Sequence, residues 1–332
     1  MDYSLEIKNA VDNNIIQLED VYDFRGTPLE ELLSKYYVFC RENLDIHSVQ
    51  ETITPNILLF TNSFEVNAGA GLKNKCFVIT INLGLLKFCI DNYHDNDELN
   101  NYFQALYPDT INKFDNPINI LAFQICTQFT YYHELAHLFQ LSSQHDEMTI
   151  QERNNKEQTD NFDRTKHILE TNADIYASIS ITTHIERYIS KTFKDEVTIE
   201  NTFETLIVLC SCLLNYTLSF SEKVEEIYFD KYTHPHSFIR QLNAILNIVN
   251  HIEQSPYFKE KNIKINSNEL FLKVLDVYKD LEKAKVFKTN VSDVIDNNKE
   301  LSKTIINYLY SIIQFDLTEY VNAMDVWNKH IT

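Results

Sequence analysis

The sequence predicts a mostly helical protein with a small β-sheet, an α+β fold. Four glycines and six prolines among 332 residues leave few sharp turns, and long segments repeat apolar residues at helical spacing. Only two short runs have the composition of strands, ILLFTNS from Ile57 and CFVITINL from Cys76. With 44% hydrophobic residues, a chain of this length can bury a large core, so we expect a globular protein.

The N-terminal part begins with a helical pattern from Pro28 to Arg41 and continues into the two strand-like runs. Gly69 and Gly71 lie between those runs, and glycines are typical of the turns that join strands. We therefore expect one helix followed by two strands in this part of the chain, joined through the glycine pair.

A long helix is predicted from Asn116 to about Leu141. Asn116 is a suitable N-cap, and Pro117 at the first helical position costs no hydrogen bond. Residues 142–166 are polar and charged, so we expect a long surface loop there. Helical patterns follow at Thr165–Phe193, Thr202–Ser219, after His234-Pro235, at Leu270–Phe287 and at Ser302–Phe315. We expect residues 1–265 to form the main domain, with residues 266–332 as a C-terminal helical extension packed on it.

The charge balance excludes two classes of partner. Acidic residues outnumber basic ones by 48 to 29, which gives a formal net charge of -19. Such a chain repels nucleic acid and anionic lipid surfaces, so we expect neither as a partner. We attribute the acidity to solubility.

Three features favour a cytoplasmic protein without a membrane span. The start of the chain, from Met1 to Asn14, has no basic region followed by an apolar stretch, so we expect no secretory signal. The most apolar window, Thr205–Ser221, is interrupted by polar residues and is short for a bilayer crossing, so we expect a buried core helix. The six cysteines show no paired metal-binding spacing, and we expect reduced thiols in the core.

The segment His133-Glu134-Leu135-Ala136-His137 is an H-E-x-x-H motif within the predicted long helix. Residues four apart share a helical face, so both imidazoles can reach one metal ion while Glu134 points toward a bound water. The motif therefore predicts a zinc site with Glu134 as its general base. The alternative is a histidine pair that is solvated or hydrogen-bonded within a core.

Catalytic zinc takes a third protein ligand and keeps one position open for water or substrate. An extended H-E-x-x-H-x-x-G-x-x-H motif would need glycine at 140 and histidine at 143, but the chain has Gln140 and Ser143. The next predicted helix offers Glu170 and Asp174, again four apart, so one carboxylate can bind the metal while the other accepts a hydrogen bond from an imidazole. The rival ligands are His145, Asp146, Glu147 and His167. We expect His167, at the loop end of its helix, to face solvent.

Three blocks in this order resemble the gluzincin peptidases that include the HtpX-type proteases and the CAAX prenyl proteases. The first block is Asn67-Ala68-Gly69-Ala70 followed by VITINLGLL from Val78 to Leu86, similar to the N-A-x-A block and G-L-L strand of that family. The second is HELAH with ETNAD from Glu170, similar to H-E-x-x-H and E-x-x-A-D. The third is Thr233-His234-Pro235 with Arg240, at the spacing of T-H-P-x-x-x-x-R. The Lit-type phage-exclusion peptidases, which cut a host translation factor, look like a closer functional analogue because they are soluble.

The resemblance implies a zincin-like fold for residues 1–265 and one zinc ion per chain, bound by His133, His137 and Glu170. Asp174 is then expected to accept a hydrogen bond from a zinc-bound imidazole and so to orient it. We expect zinc to activate a water, with a general base that takes the proton of the water and passes it to the leaving amine.

The third block adds two supporting residues. We expect His234 to donate a hydrogen bond to the oxyanion that develops during hydrolysis, while the alternative is that it only caps the helix started by Pro235. We expect Arg240 to pair with an acidic residue of the site.

The first block suggests where substrate binds. Val78 to Leu86 resembles the edge strand along which gluzincins hold an extended substrate, so we expect substrate contacts. The alternative is a buried internal strand. The substrate-binding residues expected on this basis are Asn67, Ala68, Val78, Ile79 and Thr80.

Together these features predict a zinc-dependent endopeptidase that acts on protein or peptide substrates. Two alternatives stay open. One is a zinc-binding interaction module without activity. The other is a peptidase kept latent by the C-terminal helices until an unknown regulatory partner binds.

Overall fold

A computed structural model describes residues 2–49, 53–142, 148–151, 162–219, 227–289, 292–297 and 299–313, with the single positions 318, 321, 324 and 325. Most of these residues lie in helices, and the four strands form one small sheet. The predicted class, mostly helical with a small β-sheet, is therefore confirmed.

The described α-helices range from a single turn to thirty residues. In chain order they are α1 Tyr3–Asp12, α2 Glu30–Val49, α3 Leu83–Cys89, α4 Asp97–Leu106, α5 Pro108–Ile111, α6 Ile118–Leu141, α7 Arg164–Phe193, α8 Ile199–Leu218, α9 Ser237–Gln254, α10 Pro256–Glu260, α11 Ser267–Lys283, α12 Ser292–Asn297 and α13 Ser302–Ile312. A π-helical segment lies at Ile90–His94, and 3₁₀ turns lie at Leu18–Asp20, Lys194–Glu196 and Lys299–Leu301.

Each predicted helix has a counterpart, and apart from the C-terminal end of α2 the ends differ by a few residues. The helix expected from Pro28 begins at Glu30 and extends to Val49, and the one expected from Asn116 begins at Ile118. The sequence pattern does not predict α1 or the short helices α3, α4 and α5. Of these, α3 and α5 have two turns or fewer, too few for an apolar stripe to stand out.

The sheet contains four strands in the order β1-β3-β2-β4, and two of them were not expected from the sequence. The strands are β1 Asn56–Thr61, β2 Ala68–Lys73, β3 Cys76–Asn82 and β4 Met148–Gln151. β1 runs parallel to β3, and β2 runs antiparallel to both β3 and β4. The segment with the glycine pair is thus itself a strand, and the predicted loop over residues 142–166 contains β4.

The predicted edge-strand role of Val78 to Leu86 is wrong. β3 lies inside the sheet, where Val78 pairs with Ile57 on one side and with Gly71 on the other. Ile79 and Thr80 are paired in the same way, and the segment from Leu83 is already helical. A strand paired on both sides has no free row of amide and carbonyl groups for a substrate to bond. The alternative of a buried internal strand is therefore correct.

Side chains of α1 cover the outer edge of β1. The amide of Leu58 donates to Glu6 Oε1 at 2.7 Å, and the amide of Phe60 donates to the Tyr3 hydroxyl at 3.0 Å. Glu6 also pairs with the buried Arg41 of α2 at 2.9 Å. In the described ranges, β4 is the last strand of the order and pairs with β2 on one side.

The chain divides into two compact units. The first comprises residues 1–88, 130–158 and 314–332, and the second comprises residues 89–129 and 159–313. The predicted domain boundary after residue 265 stays a prediction. The first unit packs α1 and α2 on the sheet through an aromatic cluster, in which the Tyr3 ring stacks on Phe24 at 4.7 Å and meets Tyr37 edge-on at 4.9 Å.

The second unit is a helical bundle in which α7 packs on α9, and α8 packs on α9 and α11. Every residue from Thr205 to Leu218 of α8 is buried, which confirms a core helix for the apolar window. All six cysteines of the chain are buried and form no disulfide, as predicted. None of the helices in the described ranges combines the length and apolarity that a bilayer crossing requires.

We predict that Gly84→Ala destabilises the protein by about 2 kcal/mol, because overpacking typically costs that much. A Cβ at this position would lie 2.2 Å from the carbonyl oxygen of Phe64, a backbone atom that cannot turn away. The free energy of unfolding is measured by urea titration. Gly26→Ala is the control, since its Cβ meets no atom within 4 Å and only its positive φ of 73° adds strain. Equal losses in the two variants would contradict the close approach at Gly84.

Candidate metal centre

The H-E-x-x-H motif lies on a buried part of α6. His133, Glu134 and His137 are each exposed by 1% or less. Their helical spacing directs the two imidazoles to one point, where His133 Nε2 and His137 Nε2 lie 3.0 Å apart with nearly perpendicular rings. The motif is thus a buried pair of facing imidazole nitrogens beside a carboxylate.

Gln140 fixes the orientation of the second imidazole. His137 Nδ1 lies 2.7 Å from Gln140 Oε1, one turn further along α6, and both side chains are buried. An amide oxygen only accepts, so Nδ1 carries the hydrogen and Nε2 keeps its lone pair for a ligand bond. Sequence reasoning missed this residue and used position 140 only to exclude a longer motif. Its signal was the spacing of three residues from His137, which places both side chains on one helical face.

Helix α7 supplies the two carboxylates. Asp163 caps its start by accepting from the amide of Lys166, and Glu170 and Asp174 then lie one turn apart at 3% and 1% exposure. The buried Asp174 carboxylate forms an ion pair. Arg240 of α9 holds Asp174 through two bonds, Nε to Oδ2 and Nη2 to Oδ1, each 2.8 Å long.

The expected pairing of Arg240 with an acidic residue is therefore found. Its Nη2 also lies 3.8 Å from Glu170 Oε2, so one guanidinium faces both carboxylates of α7. The predicted hydrogen bond from an imidazole to Asp174 stays a prediction.

His234 lies beside Glu170 and does not cap the following helix. Its Nε2 is 3.4 Å from Glu170 Oε1, and its Nδ1 is 2.9 Å from the Thr233 hydroxyl. The cap of α9 is His236, whose Nδ1 accepts from the amide of Phe238 at 3.1 Å. The capping alternative for His234 is therefore wrong, because the helix begins two residues later than the proline suggests.

His167 is buried, which contradicts the expected solvent-facing position. Its Nδ1 bonds the Tyr308 hydroxyl, and its Nε2 lies 3.2 Å from the carbonyl oxygen of Tyr232. Burial lowers the pKa of this imidazole below its usual value. The reason is tertiary: α13, which is distant in sequence, covers the first turns of α7.

A buried group of His133, His137 and Glu170 can bind a metal ion. One ligand atom from each residue lies within 4.8 Å of the others, and the described part of the chain holds no other group of three or more such side chains. The rivals His145, Asp146 and Glu147 lie outside the described residues. Of the predicted substrate residues, Asn67 precedes β2 and Ala68 begins it, where the Asn67 side chain accepts from the amide of Ala68.

Comparisons of the chain with models of known protein families, with curated proteins and with solved structures gave no match.

We predict that Gln140→Ala weakens metal binding by about 10 to 100-fold, because the partner that orients a ligand imidazole is lost. The affinity is measured by competition with a chromophoric chelator. Gln124→Ala, an exposed position on the same helix, is the matched control and should bind as the wild type does. His137→Ala should lose the metal altogether. Unchanged affinity in Gln140→Ala would remove the orienting role from Gln140.

A second prediction concerns stability and pH. Burial lowers the pKa of His236 to about 4, while an unfolded histidine titrates near 6.5. Between these values the unfolded chain binds a proton that the folded chain refuses, so stability falls as the pH decreases. From pH 7.5 to pH 5 this group should remove about 2 kcal/mol from the free energy of unfolding.

The variant His236→Asn keeps a side-chain acceptor for the helix start and has no titrating group. Urea titrations of both proteins at the two pH values give the comparison. The decline should be smaller in the variant than in the wild type, and equal declines would assign the acid sensitivity to other residues.

Proposed function

We propose that the chain is a zinc-dependent endopeptidase of the gluzincin type with a zincin-like fold. The observation that carries the proposal is the buried group of His133, His137 and Glu170, with Glu134 next to the first ligand. Two imidazoles and one carboxylate are a donor set of catalytic zinc sites, which leave one position open. The resemblance to the HtpX-type and CAAX prenyl proteases, and to the Lit-type peptidases, supports the same class.

The spacing of the donors supports zinc in particular. Tetrahedral zinc with bonds of about 2.0–2.1 Å to nitrogen separates two such nitrogens by about 3.3 Å. The Nε2 atoms of His133 and His137 are 3.0 Å apart, so a small movement would admit the ion. Chelation of these atoms also leaves the bond between His137 and Gln140 intact, because it uses the opposite ring nitrogen.

The charges of the buried side chains support a divalent cation. Among the described residues, Glu134, Glu170 and Asp174 are the carboxylates exposed by 3% or less, and Arg240 pairs with the last two. A divalent cation bound by Glu170 would offset part of the negative charge that these side chains carry when ionised.

Bound by these three residues, zinc would act as a Lewis acid toward a water and the scissile carbonyl. Glu134 would accept the proton of the attacking water and deliver it to the leaving amine. His234, fixed by Thr233, would donate a hydrogen bond to the oxygen that gains negative charge, a contribution of about 3 kcal/mol in comparable sites. Arg240 and Asp174 would hold the third ligand in place.

The substrate would be an extended segment of a protein or peptide. Within the described ranges, β4 offers an edge to which such a segment could add by backbone hydrogen bonds, a mode that reads few side chains. This role replaces the one expected for β3. Cytoplasmic location belongs to the same proposal and is supported by six cysteines that form no disulfide.

A zinc module without activity is the second candidate. Structural zinc sites close the coordination sphere with a fourth protein ligand, usually from cysteine. All six cysteines lie outside the group of three ligands, and a general base has no use in a closed site. These two observations favour the enzyme.

We predict that Glu134→Gln keeps one zinc per chain and lowers turnover by about 10² to 10⁴-fold, because proton transfer is lost while the ligands remain. Metal content is measured by elemental analysis. New protein N-termini are compared between cells that express the wild type and cells that express the variant. Glu31→Gln, at an exposed position, is the control and should produce the wild-type pattern.

One dominant new terminus, present with the wild type and the control and absent with Glu134→Gln, would identify both the activity and its target. Zinc in the purified protein without any such terminus would favour the inactive module. Absence of zinc from the wild type would contradict the proposal itself.

A further inference from the structure

The C-terminal helix α13 contacts the first turns of α7 through two polar contacts. The guanidinium of Arg164 donates to the carbonyl of Ser311 at 2.7 Å, and the hydroxyl of Tyr308 bonds His167 Nδ1. The contact residue nearer the start of α7, Arg164, meets the one nearer the end of α13, Ser311. The two helices therefore run antiparallel here. The contact made by His167 lies one turn before the ligand Glu170 on α7.

His167 connects α13 to residues 227–236, the segment that carries His234. We call residues 227–236 the presenting segment. Its Nε2 lies 3.2 Å from the carbonyl oxygen of Tyr232, an atom that can only accept. Nε2 therefore carries the hydrogen, and Nδ1 accepts from the Tyr308 hydroxyl. His167 and Tyr308 are both buried, so water competes little for these bonds.

The backbone at Tyr232 requires such support. Its φ is 62°, in the left-handed region that bulky residues rarely adopt, and a residue stays there only where its surroundings fix it. The ring of Phe229, in the same segment, packs edge-on against Tyr308 at 5.3 Å. Two residues after Tyr232, His234 reaches to 3.4 Å from Glu170. A series of contacts thus leads from α13 to a ligand of the proposed metal.

We propose that Tyr308 is a positioning residue of the metal centre. Through His167 it fixes the presenting segment and so holds His234 beside Glu170. The inference rests on the proposed function for the role of Glu170. It makes α13 part of the framework of the site, so that undocking of α13 would loosen His234 and lower metal affinity.

The link between Tyr308 and the presenting segment is tested without metal. Amide hydrogen exchange of the full chain is followed by mass spectrometry in the wild type, Tyr308→Phe and Tyr310→Phe. Tyr308→Phe keeps the ring and removes the donor, and exchange in residues 227–236 should quicken by about tenfold, the factor that one buried hydrogen bond supplies. Tyr310 lies on the same helix at 75% exposure, so its variant should exchange as the wild type does.

The link to the metal is tested by zinc affinity in a double-mutant cycle. His234→Asn should weaken zinc binding by about tenfold, as loss of a group that orients a ligand does, and Tyr308→Phe should weaken it by a smaller factor. In the double variant the loss should equal that of His234→Asn alone, because Tyr308 acts through His234. If Tyr308→Phe does not fold, His167→Leu breaks the same connection and takes its place in both experiments.

Faster exchange confined to the presenting segment, with non-additive losses of affinity, supports the proposal. Unchanged exchange overturns it, and so do losses that add in the double variant, because Tyr308 would then act independently of His234. Failure of the wild type to bind zinc would contradict the proposed function. The exchange experiment would still decide whether Tyr308 fixes the presenting segment.

Discussion

Burial of the Glu170 carboxylate is the constraint on which the rest of the site depends. A carboxylate at 3% exposure has lost its hydration, which costs several kcal/mol unless opposite charge and donors replace the water. Arg240 lies 3.8 Å away on α9, and His234 lies 3.4 Å away on the segment before it. Two hydrogen bonds to Asp174 fix the same guanidinium. Because Arg240 lies on α9 and both carboxylates lie on α7, the packing of α7 on α9 places the positive charge beside Glu170.

The histidines in this part of the protein have different roles, and the partners of each imidazole determine its role. His133 and His137 direct Nε2 to one point, while His234 faces a carboxylate. His236, only two residues later, accepts from a backbone amide at a helix start. His167 donates to a carbonyl and accepts from a phenol. Because imidazole can donate, accept or bind metal, its role follows from the atoms around it and not from its position in a motif.

The strand order decides which backbone groups are available. The apolar run of β3 shows that it is a strand, but the same composition suits an edge strand and an internal one. Pairing with β1 on one side and β2 on the other settles the matter, and β2 begins with four small residues that sequence reasoning assigned to a turn. Glycine and alanine in AGAGLK have weak strand propensity, so that strand exists because its neighbours pair with it.

The sequence alone determined the features that depend on local spacing. Residues four apart on a helix share a face, so the motif from His133 to His137 and the carboxylates of α7 could be predicted before any packing was known. The contacts of His167 depend on packing with residues that are distant in sequence. The cap at His236 depends on where α9 begins, and the sequence placed that boundary at Pro235. Tyr308 lies 141 residues from His167, and no periodic pattern in one chain encodes such a pair. Tertiary structure decided these contacts because burial, which spacing does not reveal, sets the partners of a polar side chain.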